Sequence, residues 1–438
     1  MNTPFFLLKI NYFSFVALLI FIFVSLNSLF NALSVAFGGS LFTNTFLMPP
    51  HDLFGDYFKT TFSFVTNQDI KFDLKNYPVL NKLLHEYLNN NNYKAINPET
   101  NLASNLHGMP SSTLFCLVNL WLMNFINPLY LFIINIILIL VLNFIVLKVN
   151  IRLKYSNIIF IVIAIVLSYP TLFMLVRGHL LSALTNLLLL TFLLSLCSSK
   201  NLLAVIALAL ACNIRPNCAI FAVLFLTCFN YLGWRASAFI VIKYLLLSIG
   251  IFLVSLFFAH KMYTPYTLTH FLMAVKTYRE NYIVGDAGFA YGSSLAGGFK
   301  FMFGYNWITE VLALLVPLVM LLITSIGYLK NRIDTSSFIF LVCSIYCLAT
   351  SVFADYYLGI FIAPIICLYL YKKPFSGFSK VHYVQFGVCI LMLVPKNYIY
   401  TLGGVSYQVL LNPTLLSLSF FIVLSQLFLT PNTLKIEN

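Results

Sequence analysis

Twelve long apolar runs divide this chain and constrain its fold more than any other feature. They lie near 6–36, 129–147, 157–175, 180–197, 201–214, 217–233, 237–259, 305–328, 336–354, 356–371, 383–395 and 413–430. A helix needs about 20 apolar residues to cross the hydrocarbon core of a bilayer. A further run, 110–127, opens at Pro110 and closes at Asn127-Pro128. Only 8% of the 438 residues are charged, and 61% are hydrophobic. Soluble domains carry about 25% charged residues. Those figures exclude a soluble enzyme, a disordered chain and a fibrous protein. The expected fold is therefore all-α, one polytopic integral membrane domain over residues 1–438. The first run is too long for the apolar part of a cleavable signal peptide and reads as a retained spanning helix.

Orientation follows from the short loops, because Lys and Arg accumulate on the cytoplasmic side. With the N-terminus inside and 110–127 not crossing, the inner loops hold Lys9, Lys148, Arg152, Lys154, Lys200, Arg235, Lys243, Lys330, Arg332, Lys372, Lys373, Lys380 and Lys435. Most of the remaining basic residues fall in two long loops, 37–109 and 260–304. Long loops translocate largely regardless of charge. Only Arg177, Arg215 and Lys396 then occupy short outer turns. If 110–127 crosses, every later loop flips and the bias is lost. About twelve transmembrane helices are expected, with 110–127 re-entrant or interfacial; thirteen is the alternative.

This topology puts both long loops on the extracytoplasmic face. The first carries Asp52, Asp56, Asp69, Asp73, Glu86 and Glu99, the second Glu280 and Asp286. Polar chemistry is expected there. The chain has no P-loop, and the Gly residues of 285–298 lack the strand-to-helix context of a dinucleotide site. The net charge of +13 is scattered between apolar runs, so no nucleic-acid partner is expected. The nine Cys all lie in apolar segments without a CxxC pair and read as small buried hydrophobes. No internal repeat is visible, which weighs against a transporter. Asn27, Asn135, Asn143 and Asn186 read as interhelical glue.

Four segments carry side chains suited to chemistry. Met48-Pro49-Pro50-His51-Asp52-Leu53-Phe54-Gly55-Asp56-Tyr57-Phe58-Lys59 follows the first helix. Asp52 and Asp56, four apart, share one face of a helix. Proximity and partial burial raise carboxylate pKa values, which suits a general base. Equally, Asp52 reads as an N-cap and Tyr57 as an interfacial anchor. In the segment Arg177-Gly178-His179, Arg177 lies outside against the charge rule, as a phosphate ligand would, with His179 beside it. Both also read as interfacial side chains. In Asn213-Ile214-Arg215-Pro216-Asn217, Arg215 sits at the outer membrane boundary and needs an anion, either a lipid phosphate or a loop carboxylate. Lys276-Thr277-Tyr278-Arg279-Glu280 alternates charge with aromatic rings, as carbohydrate-facing surfaces do, and also suits a solvated loop. Asp355-Tyr356-Tyr357 is a weaker candidate of the same kind.

In the order of these parts the chain resembles the glycosyltransferase-C superfamily, and within it the family 87 polyprenyl-phosphate-dependent mannosyltransferases. The likeness runs from the acidic loop to Asn217. It rests on Asp52 or Asp56 followed by Tyr57-Phe58, on Gly108-Met109-Pro110, on Tyr169-Pro170 with Gly178-His179, and on Arg215-Pro216. The family's Gln is His179 here, and its Lys is Arg215. The resemblance implies a hexosyltransferase of a bacterial inner membrane. Its donor is a polyprenyl-phosphate sugar, with mannose the expected hexose. Its acceptor is an envelope glycan or glycolipid. Arg215 would hold the donor phosphate, with Arg177 and His179 as candidates. Asp52 or Asp56 would be the base, and His51, Tyr57, Lys59, Tyr278, Arg279 and Glu280 would bind substrate. The family mostly needs no cofactor and no obligate metal; the loop acids leave a divalent cation open. An O-antigen-type polymerase or ligase and a lipid-linked glycan flippase are the alternatives.

Overall fold

The computed structural model of the chain describes residues 12–36, 109–123, 125–150, 155–263, 266–284, 294–351, 353, 355–371, 378–394 and 410–429. Those residues are all-helical. In order they form α1 (Tyr12–Ala36), α2 (Pro110–Leu122), α3 (Pro128–Asn150), α4 (Tyr155–Leu167), α5 (Tyr169–Arg177), α6 (Leu180–Cys197) and α7 (Asn201–Ile214). A 3₁₀ segment (Pro216–Cys228) leads into α8 (Phe229–Met262). Then come α9 (Leu268–Tyr278), a π-helical turn (Arg279–Val284), α10 (Leu295–Phe303), α11 (Trp307–Leu329) and α12 (Thr335–Ala349). A second 3₁₀ segment (Asp355–Phe361) precedes α13 (Ile362–Tyr371), α14 (Lys380–Leu393) and α15 (Leu411–Leu429).

Four of these helices are long and apolar enough to cross a membrane: Pro128–Asn150, Leu180–Cys197, Leu232–Met262 and Trp307–Leu329. A fifth span results if Ile158–Leu167 and Tyr169–Leu175, bent by 73°, count as one. The membrane character expected from the apolar runs is thus present in four or five elements among the described residues. The other apolar runs give shorter apolar helical stretches of 10–17 residues, Ser14–Leu29 within α1 and Leu411–Ser425 within α15 among them. The run 110–127 is one of these: it becomes the 13-residue α2, roughly 20 Å long at 1.5 Å per residue. The region 260–304, read as a loop, contains α9 and α10.

The helices are short because the sequence interrupts them. Pro170 stands at the start of α5, where its missing N–H is an orphan anyway. Ser168, between α4 and α5, turns its hydroxyl to the Ile165 carbonyl at 2.7 Å. Gly178 ends α5 in the left-handed region, with φ 74. His179 N–H then bonds Met174 O at 2.8 Å and Gly178 N–H bonds Leu175 O at 3.2 Å, the Schellman pattern. Arg215 is extended, with φ −140 and ψ 107, because the ring of Pro216 excludes the α conformation from the residue before it. The 13 residues from Pro216 to Cys228 wind as a 3₁₀ helix, which lengthens them to roughly 26 Å at about 2.0 Å per residue.

Burial divides the spans. The α6 span is 72% buried, the Leu232–Met262 span 17%. The interior is built from α6, α7, the Pro216–Cys228 segment and α12, where Phe338 to Leu348 is almost wholly enclosed. Phe192 of α6 packs against Phe221 and Phe225 of the 3₁₀ segment. Polar side chains fasten the outer helices to this core. Asn135 of α3 donates to Asn119 of α2 at 2.8 Å. Ser195 of α6 donates to Asn150 of α3 at 3.2 Å. Asn27 of α1 donates to the Leu167 carbonyl at 3.1 Å. Asn143 instead bonds Ile139 O in its own helix. All nine Cys are free thiols; eight are buried and Cys197 is half-buried.

Candidate functional site

Four chain interruptions meet at one place. They are the α5–α6 turn at Gly178-His179, the α7–3₁₀ junction at Arg215-Pro216, the end of α12 at Thr350, and the Asp355–Phe361 segment. Irregular backbone at membrane depth persists only where protein buries it or where it lines a cavity. Each junction contributes polar or aromatic groups.

Arg215 lies at the centre and is half-buried. Its Nη2 donates to Ser182 Oγ in the first turn of α6. Its guanidinium carbon lies 4.3 Å from the centre of the Tyr357 ring and 5.4 Å from that of Tyr356, within cation–π range. Among the described residues no carboxylate pairs with it. Asp52, Asp56, Asp69, Asp73, Glu86, Glu99 and Asp286, the other side of the loop-carboxylate alternative for Arg215, lie outside the described residues.

His179 joins the same cluster. Its Nδ1 is 2.8 Å from Ser182 Oγ, and its ring centre is 4.6 Å from that of Tyr356. A neutral ring accepts the Ser182 proton on Nδ1, and a protonated ring donates to Ser182. Asn217, two residues past Arg215, donates to Thr350 Oγ1 at 2.9 Å. On the other side Ser112 of α2 donates to the Ile214 carbonyl at 3.2 Å. That carbonyl is one of the orphan acceptors left at the end of α7.

A cavity of about 40 Å³ lies beyond Ala183, Asn186 and Gly359 and is lined by none of Arg215, His179, Ser182, Tyr356 and Tyr357; it has room for roughly three waters. Its wall is apolar apart from Asn143, Thr171 and Asn186. Met174, Ala183, Asn186 and Gly359 line it on the side of the cluster, and Ile136 and Leu140 on the side of α3. The span of α3 is only 22% buried, so the cavity has an outward-facing helix as one wall.

The second arginine of the sequence reading sits elsewhere. Arg279 Nη2 makes bonds of 2.6 and 2.8 Å to both carboxylate oxygens of Glu310, and one of 3.1 Å to Tyr305 Oη. Tyr305 Oη donates to Glu310 at 2.6 Å, and this bond pushes the phenol above its ordinary pKa. The carboxylate likewise holds Arg279 above its ordinary value. Glu280 pairs with Lys276, at 3.9 Å. These bonds tie the α9 region to the start of α11 and do not reach the Arg215 cluster. Tyr278 ends α9 on the same segment.

The expected groups thus divide. Arg215 and His179 are brought together. Arg177 closes α5 beside them in the backbone. Asp52, Asp56, His51, Tyr57 and Lys59 lie outside the described residues. Sequence reasoning missed Ser182, although it stands three residues after His179 and so faces it on a helix. It underweighted Tyr356 and Tyr357, which local sequence does not connect to Arg215. Among the described residues no group of three or more His, Cys, Asp or Glu is arranged to hold a metal ion. Chemically, the cluster offers an anion one fixed guanidinium, a hydroxyl and an imidazole. Comparison with protein-family models, with curated proteins and with solved structures finds no match.

Proposed function

We propose that this membrane protein is a hexosyltransferase that uses a polyprenyl-phosphate sugar, expected to be mannose-bearing, and modifies an envelope glycan or glycolipid on the extracytoplasmic face. One observation carries the reading: Arg215, half-buried and unpaired with any described carboxylate, is held by Ser182 and two tyrosine rings. A half-buried cation favours an anion such as a phosphate, and the prenyl tail follows from the resemblance. The resemblance to family 87 supplies the sugar and the reaction type.

In this reading the lipid phosphate lies on the in-plane N–H edge of Arg215, with Ser182 and His179 beside it. Arg177 is a further candidate ligand from the end of α5. The acceptor hydroxyl oxygen attacks the anomeric carbon while its proton passes to Asp52 or Asp56. The bond from that carbon to the phosphate oxygen breaks, polyprenyl phosphate leaves, and the anomeric configuration inverts. Negative charge grows on the departing phosphate, where a preplaced guanidinium stabilises it. His51, Tyr57, Lys59, Tyr278, Arg279 and Glu280 complete the set proposed for sugar and acceptor, in the two loops read as outer. The twelve-span arrangement with both loops outside belongs to this proposal.

The test uses the full chain in lipid with radiolabelled polyprenyl-phosphate mannose and an envelope lipid extract. Label should move to a glycolipid with wild type and not with Arg215→Ala. Full transfer by an Asp52→Asn, Asp56→Asn double variant refutes the assignment of the base. A second reading, a lipid-linked glycan flippase, draws on the broken helices, since transporters build sites from helix breaks. It is preferred if labelled lipid crosses the bilayer but no sugar is transferred.

A further inference from the structure

Asn186 stands one turn beyond Ser182 on the same face of α6. Its Nδ2 donates to the Tyr356 carbonyl at 3.1 Å and lies 3.6 Å from Met174 Sδ of α5. Three residues after Tyr356, Gly359 leaves the space this amide occupies. A Cβ there would come within 2.6 Å of Asn186 Nδ2, closer than van der Waals contact allows. The Asn186 amide therefore fixes how the Asp355–Phe361 segment seats on α6. The same segment presents Tyr356 and Tyr357 to the Arg215 guanidinium. Tyr356 is held from other sides by Phe173, at 6.3 Å between ring centres, and by His179. Tyr357 stacks on Phe353 at 5.3 Å.

We infer that Asn186, through the fit of its amide over Gly359, is a positioning residue for Arg215. It seats the two tyrosine rings within cation–π range of the guanidinium carbon, so that the charge is held in place without a carboxylate and is left for an oxyanion. The inference rests on the phosphate-binding reading above and adds how the site selects its ligand. Tyrosine rings hold the cation without neutralising it, and two phosphate oxygens match the guanidinium fork. Ser182 occupies one donor from α6, which fixes the rotation of the fork. An ammonium has neither face nor edge, so lysine at 215 would keep the charge and lose the selection.

The test uses the full chain in nanodiscs of zwitterionic lipid, with variants Asn186→Leu, Gly359→Ala and Arg215→Lys. Without ligand, labelling of Arg215 by 4-hydroxyphenylglyoxal is read by peptide mass spectrometry against exposed Arg235. Binding of geranylgeranyl monophosphate is then compared with binding of geranylgeraniol. Asn186→Leu and Gly359→Ala should each raise Arg215 labelling about fivefold and lower the phosphate-over-alcohol preference by a similar factor, the range of one cation–π contact. Alcohol binding should not change. Arg215→Lys should lose most of the preference. Gly359→Ala keeps every polar group and only swings the Asn186 amide aside, so it carries the test if Asn186→Leu does not fold. Wild-type labelling in both variants overturns the inference. A parallel loss of phosphate and alcohol binding also overturns it, because that is the mark of a merely structural residue. Faster labelling in a protein that never prefers the phosphate supports the positioning role and overturns the lipid-phosphate reading.

Discussion

Arg215 and Arg279 are the same residue in two different settings. Arg279 is about half exposed and makes a two-oxygen ion pair with Glu310, closed by Tyr305. Its charge is neutralised by a carboxylate of its own chain, through one nitrogen of the guanidinium. Arg215 is held by a hydroxyl and two aromatic faces, none of which carries an opposite charge. The first arrangement joins two segments. The second leaves a positive charge with no carboxylate partner among the described residues, at the meeting point of four chain breaks. A cation paired with a carboxylate of its own chain serves as a clasp, and in the proposed reading the cation without one takes the ligand.

The comparison breaks most sharply at Arg215 itself. Arg215→Ala should weaken binding of a prenyl monophosphate at least about a hundredfold, since charge-assisted bonds to phosphate are worth about 1.5–3 kcal/mol each. Titration of ligand into the purified protein checks this. Arg279→Ala, in the set proposed for sugar and acceptor, should leave the affinity for this sugar-free ligand unchanged; if it weakens binding as much, the two arginines do not differ in role.

Next in size is Gly178→Ala. The left-handed turn there aligns His179 and Ser182 with Arg215, and a side chain at φ 74 is strained. The expected destabilisation is about 1 kcal/mol. It should appear as a lower Tm in detergent together with weaker phosphate binding. A lower Tm with intact binding would detach the turn from the site.

The smallest effects belong to the clasp. Glu310→Gln should move Tm by less than about 2 °C, because exposed ion pairs contribute little. Raising salt should erase the difference from wild type. The Tyr305 phenol is pushed above its ordinary pKa of about 10 by its bond to Glu310. A raised value means that the bond contributes below that pH and is lost as pH rises through the folded-state pKa. Wild type and Tyr305→Phe should therefore differ at neutral pH and converge in strong alkali, as read by unfolding in buffers of graded pH.

Much of the fold was legible locally. The spans at 128–150, 180–197 and 307–329 match apolar runs nearly end to end. The breaks at Gly178 and Pro216 are written in residues whose backbone preferences allow little else. The buried Cys and the bridging roles of Asn27, Asn135 and Asn186 were also readable. Other features were not. The run 157–175 reads as one crossing, yet it bends by 73° at Ser168. The run 217–233 reads as an ordinary span, yet residues 216–228 wind as a 3₁₀ helix. Neither departure changes hydropathy, so a window of apolar residues does not register it.

The sequence by itself determined a helical membrane protein, the places where its helices break, and an arginine held beside a proline at one of those breaks. The tertiary structure decided which spans are interior. The α6 and Leu232–Met262 spans are comparably apolar, yet one is 72% and the other 17% buried. Lipid and protein interiors are both apolar, so hydrophobicity cannot separate a face that meets lipid from one that meets another helix. The tertiary structure also decided that Arg215 meets Tyr356 and Tyr357 while Arg279 meets Glu310. Those partners are remote in sequence, and only helix packing brings a charge from one break to the ring of another.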